Sequence, residues 1–172
     1  MLVSRDTAPT IIMRRTVKVG QCFTGVTSDG KLMTNRYANF GSYIEKDDDD
    51  DDVMEKCISL NLDTRKVATS LGHQRVALIG SWTADINLLR SYQEVNSKEF
   101  LSLAHGDVIT LPATSREKMK MFGVLTAARE FGKKLPHIRA IGLSDGAPNV
   151  VSLPPVEDLL KVGSFSIRAE VI

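Results

Sequence analysis

Six consecutive aspartates, Asp47, Asp48, Asp49, Asp50, Asp51 and Asp52, fix one point of any fold this chain can take. Like charges side by side cannot be packed against one another or against an apolar surface, so the run has to lie in water. It predicts an exposed acidic loop over residues 45–56. The charge around it is uneven. Glu45 to Asp63 carries nine acids against Lys46 and Lys56, whereas Thr114 to Arg139 carries seven Lys and Arg against Glu117 and Glu130. With a net charge of +1, the chain is polarised rather than charged overall. A body with one acidic and one basic side can pair head to tail with copies of itself, or turn its basic side to a polyanion.

The rest of the pattern is mostly that of strands. Val17, Val19 and Phe23 alternate, and Ser28-Asp29-Gly30 supplies turn chemistry before Lys31 to Tyr37, which predicts a hairpin. Ile58, Leu60 and Leu62 alternate beyond the acidic run, and Arg75 to Trp82 continues the series. Asp85 to Tyr92 fits a strand or a short helix, with the strand favoured. Phe100 to Leu103 and Asp107 to Leu111 are short apolar runs before Pro112. The chain ends on Phe165, Ile167, Ala169 and Val171, alternating with polar residues as a half-buried strand does.

One helix is expected. Thr114 and Glu117 have the spacing of a capping box, and Met121, Phe122, Leu125, Ala128, Phe131 and Leu135 recur as one apolar stripe before Pro136. Pro154 and Pro155 predict a second, short helical turn with Val156, Leu159 and Leu160 inward. Residues 1–15 have no periodicity and read as a flexible basic arm. Residues 16–172 are of a size for one domain with one core. Strands that are not interleaved with helices predict α+β: an antiparallel sheet, or small partly closed barrel, packed by one long amphipathic helix. No internal repeat is visible in the sequence.

Three common motifs for chemistry are missing: the chain contains no glycine-rich phosphate loop ending in Lys-Ser/Thr, no G-x-G-x-x-G and no H-E-x-x-H. His73, His105 and His137 are far apart, and Cys22 and Cys57 form no close pair, so neither a zinc set nor a disulfide framework is expected. Counted as a calcium loop from Asp47, the aspartate run has Asp52 and Ile58 where glycine and glutamate belong. No catalytic residue, metal or cofactor is therefore expected. No apolar stretch approaches the length of a membrane span, and the N-terminus lacks the apolar core of a secretory signal, which predicts an intracellular protein. The candidate contacts for phosphate or lipid are Arg14 and Arg15 on the arm and Lys118, Lys120, Arg129, Lys133 and Lys134 on the wet face of the helix. The aspartate run is the candidate for binding a basic partner.

The segment from Thr114 to Pro148, a helix followed by Leu135-Pro136-His137-Ile138-Arg139-Ala140-Ile141-Gly142-Leu143 and a Ser-Asp-Gly loop, resembles the helix-then-Ile-Gly arrangement of small matrix proteins of negative-strand RNA viruses, especially those of plant rhabdoviruses. Chain size, strand-rich layout and a basic arm are similar too, and a Pro-Pro-x-Tyr motif found in several animal-virus members is absent. The resemblance implies a non-enzymatic structural protein of the virion and host cytoplasm. Such a protein self-associates as a homo-oligomer, sits peripherally on the inner face of an anionic membrane and links it to a nucleocapsid or its RNA. The alternative expectation is a viral movement or adaptor protein that grips a host partner through the acidic loop.

Overall fold

The computed structural model describes residues 9–46, 53–71, 74–96, 102–110, 120–128, 137–143, 150–153 and 159–172. These form a single curled antiparallel sheet, a half-barrel of eleven strands: β1 (Ile11–Met13), β2 (Gln21–Val26), β3 (Leu32–Lys46), β4 (Val53–Asn61), β5 (Val67–Leu71), β6 (Arg75–Val95), β7 (Asp107–Thr110), β8 (Met121–Ala128), β9 (His137–Gly142), β10 (Val150–Leu153) and β11 (Leu159–Val171). The order across the sheet is β10-β9-β8-β7-β11-β6-β2-β3-β4-β5, with β1 paired to the start of β6. The sheet curls until β10 lies across from β3.

The expected α+β class is therefore overturned: the fold is all-β, and the only helical element among the described residues longer than a single residue is a 3₁₀ turn at Arg14–Thr16. The predicted long helix fails at its centre, where Met121 to Ala128 is strand β8. Its apolar stripe has another origin. Leu125 is buried inside the curl and Val124 is buried on the outer face, so both faces of β8 are covered and the run reads as continuously apolar. Gly123 suits its place in the strand, since a Cβ there would meet the ring of Phe165. The predicted helical turn near Leu159 and Leu160 is likewise the start of β11. The segment on which the matrix-protein resemblance rests thus lacks its helix over residues 121–128. The hairpin across Ser28-Asp29-Gly30, the strand with Ile58 and Leu60, and the alternating C-terminal strand are all found.

The topology contains a repeat that the sequence reading did not find. β2 to β5 form a meander with β6 returned beside β2, and β7 to β10 form a meander with β11 returned beside β7. The registers coincide pair by pair. Cys22 faces Ala38 as Val108 faces Gly123, Asn39 faces Ser59 as Val124 faces Ala140, and Leu60 faces Val67 as Ile141 faces Val150. Both second strands bulge at the same place, at Phe40 and at Leu125. Where β6 meets β11, Gly80 faces Val171 as Leu88 faces Gly163, so the two halves are related by a pseudo-twofold axis through the Ala84–Ile167 pair. Even β1 has its counterpart. Ile12 pairs with Val76 in the first half, and Val95, the end of the long β6, pairs with Leu159 in the second.

One core fills the curl and draws on both halves: Phe40, Ile58, Leu60 and Trp82 meet Leu125, Ile141, Val162 and Phe165. Two smaller clusters lie on the outer face. Val17, Phe23 and Val76 form that of the first half, and their counterparts Leu103, Ile109 and Leu159 belong to that of the second. Fully burying such side chains is worth about 1.5–3 kcal/mol each, which is the main stabilising term available to such a sheet.

Candidate functional site

The outer faces of the two halves share a backbone but differ in chemistry. In the second half the positions are apolar: Val124, Ile138 and Leu159 pack with Leu103 and Ile109. In the first half, Asn39 stands where Val124 stands, Cys57 where Ile138 stands, and Ser59 where Ala140 stands. A guanidinium, that of Arg14, joins this more polar face.

Arg14 follows β1 directly, and its position is set by backbone bonds. Its N–H donates to the Gln74 carbonyl at 2.5 Å, and its own carbonyl accepts from Val17 N–H at 3.2 Å, which closes the 3₁₀ turn. The side chain is only 2% exposed, with its guanidinium carbon 4.3 Å from the centre of the Phe23 ring. Nη2 is buried and has no hydrogen-bond partner among the described residues. Burial lowers the Arg14 pKa, with the neighbouring Cys57 opposing the shift, yet an arginine keeps its charge at neutral pH. Burial also raises the Cys57 thiol.

Arg14 lines two hollows. One, of about 270 Å³, is formed with Phe23, Met33, Tyr37, Ser59 and Gln74. The other, of about 390 Å³, is a groove formed with Arg15, Lys18, Asn39, Ser42 and Cys57. Among the described residues, neither is lined by a carboxylate. Lys18 is held by its turn, where its N–H donates to Gln21 Oε1 at 2.8 Å, while Arg15 and Lys18 both reach solvent. A hollow of the second half shows the contrast: it is lined by Glu94 and Asp107 as well as Lys161, and Lys161 Nζ is bonded to Asp107 Oδ1 at 3.2 Å.

The candidate contacts named from the sequence are thus placed unevenly. Arg14 was expected on a flexible arm and is buried beneath the sheet's outer face, because β1 pairs with β6 and carries the residue inward. Arg15 is exposed beside it, and Lys120 is exposed at the start of β8. Lys118, Arg129, Lys133 and Lys134 lie outside the described residues, as do Asp47 to Asp52; Lys46 and Val53, which flank the aspartates, pair as the last rung of β3 and β4. Sequence reasoning missed Lys18, whose signal was its place in the same short basic stretch before Gly20. Among the described residues, no three His, Cys, Asp or Glu gather as a metal site. His105 packs between aromatic rings, with centroids 5.5 Å from Phe165 and 6.3 Å from Phe40. No helix among the described residues is long and apolar enough to cross a membrane. Comparisons with protein-family models, with curated proteins and with solved structures give no match.

Proposed function

We propose that this is a non-enzymatic structural protein of the matrix-like kind, which self-associates and meets a polyanion, the phosphates of a ribonucleoprotein or of an anionic membrane face. The observation that carries the reading is the convergence of Arg14, Arg15 and Lys18 on one groove with no carboxylate among its described lining residues. Such a groove attracts phosphate oxygens both by field and by hydrogen bonding. Self-association has its own support. Between Leu88 and Gln93 the long β6 makes an excursion of four residues opposite the single residue Val162 of β11, and Leu88, Leu89 and Tyr92 stand exposed there at 57%, 37% and 47%. Exposed apolar side chains grouped in this way mark contact surfaces.

The test is binding of single-stranded RNA and of phosphatidylserine vesicles at low and high salt, together with sizing of the chain. Salt-sensitive binding that weakens when Arg15 and Lys18 are both changed to Glu, and oligomers that dissociate in a Leu89→Asp, Tyr92→Asp variant, are the expected results. A monomer indifferent to RNA, vesicles and salt would overturn the reading.

A further inference from the structure

We infer that the groove around Arg14 is a discrete site for one phosphate group, of the terminal, doubly ionised kind carried by a phosphomonoester or by free phosphate, and that only the first half of the molecule carries it. The inference rests on the proposed reading of the groove as a polyanion contact and names the chemistry that it takes.

A buried guanidinium with an unpartnered N–H group is costly when nothing offsets its lost hydration. Stacking over Phe23 recovers only part of that cost. The fold does not require the charge, since the second half closes the same outer face with Val124, Ile138 and Leu159. Arg14 is therefore explained by a ligand rather than by the scaffold. The groove that it lines is also lined by Arg15 and Lys18, both exposed, so three cationic residues border a space of about 390 Å³. Three positive charges in a partly dry site favour a dianion over a carboxylate or a phosphodiester, each of which brings a single charge. Ser42 adds a hydroxyl to the lining. Asn39 instead braces the wall, donating from Nδ2 to the Val17 carbonyl at 3.0 Å and accepting from Gly41 N–H at 3.3 Å.

The experiment is a calorimetric titration of the full chain with inorganic phosphate, repeated with phosphatidylcholine vesicles containing phosphatidic acid and with single-stranded RNA. One phosphate per chain is expected, with affinity lowered about tenfold or more when Arg15 and Lys18 at the rim are both changed to Gln, and unaltered in Lys161→Gln, in the hollow of the second half. Arg14→Gln should abolish binding; if that variant does not fold, the rim variant decides. Saturation at two phosphates per chain, or undiminished binding in the rim variant, overturns the inference. Failure of phosphate to saturate, with salt-sensitive RNA and vesicle binding intact, overturns the discrete site and leaves the polyanion reading standing. Phosphate binding lost at the rim while RNA and vesicle binding persist upholds the site and removes the groove from the polyanion reading. Binding to phosphatidic acid vesicles but not to RNA assigns the source to a lipid headgroup and upholds the inference.

Discussion

Trp82 and Phe165 hold the same place in the two halves of the molecule, and each donates its backbone N–H to the carbonyl of a left-handed glycine, Gly20 at 2.8 Å and Gly106 at 2.7 Å. Both glycines have φ near +100°, at +94° and +100°, and both close a turn in which the side chain of the next residue, Gln21 or Asp107, accepts an N–H bond from three residues back. The two aromatic rings then meet in the common core, Trp82 edge-on to Phe40 and Phe165 edge-on to His105. A turn, a strand entry and an aromatic anchor therefore act as one unit, used twice around the axis between Ala84 and Ile167.

The glycines two residues before these aromatics give the first prediction. A Cβ on Gly80 would run into the carbonyl oxygen of Glu170, and one on Gly163 into that of Asn87, which are symmetry-related collisions with backbone. Backbone cannot swing aside as a side chain can. Gly80→Ala and Gly163→Ala should each cost on the order of 3 kcal/mol. Urea denaturation checks this, and a cost for one much below the other would contradict the equivalence of the halves.

What the sequence reveals of this repeat is slight: Ile79-Gly80-Ser81-Trp82-Thr83 against Val162-Gly163-Ser164-Phe165-Ser166, and Gly20 to Thr24 against Gly106 to Thr110 with only the end residues shared. Core positions accept many apolar side chains of similar volume, so pairs such as Phe40 and Leu125 keep the packing without keeping the letters. The hairpin at Ser28-Asp29-Gly30 and the strands with one wet face, such as β11, are legible because turn chemistry and alternation are local. β8 is not legible, because a strand covered on both faces loses the alternation that would identify it. The groove was half legible. Arg14 and Arg15 stand out as cations, but the burial of Arg14 depends on Met13 pairing with Arg75, a contact between distant parts of the chain.

His105 gives a pH-dependent prediction. Burial beside Phe165 and Phe40 lowers its pKa, the carbonyl side of Leu125 opposes the shift, and Arg65 adds to it. A histidine with a depressed folded-state pKa favours the fold while neutral. Its contribution is present above the unfolded value of about 6.5 and is lost as pH falls through that range. In His105→Val, which installs the residue found at the equivalent Val19, the urea midpoint should fall less between pH 7.5 and pH 5 than in the parent. An equal fall in both would remove His105 as the cause.

Cys22 and Cys57 are both buried, and burial pushes the Cys22 thiol up to about 11. The thiolate is the reactive form, so at pH 8 almost none is present at Cys22 and none is accessible. A thiol-reactive dye at pH 8 should label the native chain slowly and both cysteines quickly in urea. Raised folded-state values also mean that stability is retained below pH 9 and declines as pH climbs towards 11. Rapid labelling of Cys22 in the native state would show that the core opens on the time scale of the reaction.

Arg139 and Ile58 supply the sharpest test of the internal symmetry, because they are equivalent positions on β9 and β4. Ile58 is fully buried in the common core, and Arg139, 5% exposed, lays its guanidinium carbon 3.6 Å from the centre of the Tyr43 ring. An isoleucine at position 139 recovers the cost of dehydrating the guanidinium while losing its contacts, the Tyr43 ring among them. Arg139→Ile should therefore cost less than the converse exchange, which has no such compensation. Ile58→Arg would bury a new charge among Phe40, Leu60 and their neighbours, and should cost about 4 kcal/mol or more, a large part of the stability of an ordinary domain. Thermal melts of the two variants check the pair, and a strongly destabilised Arg139→Ile would show that the guanidinium holds the two halves together.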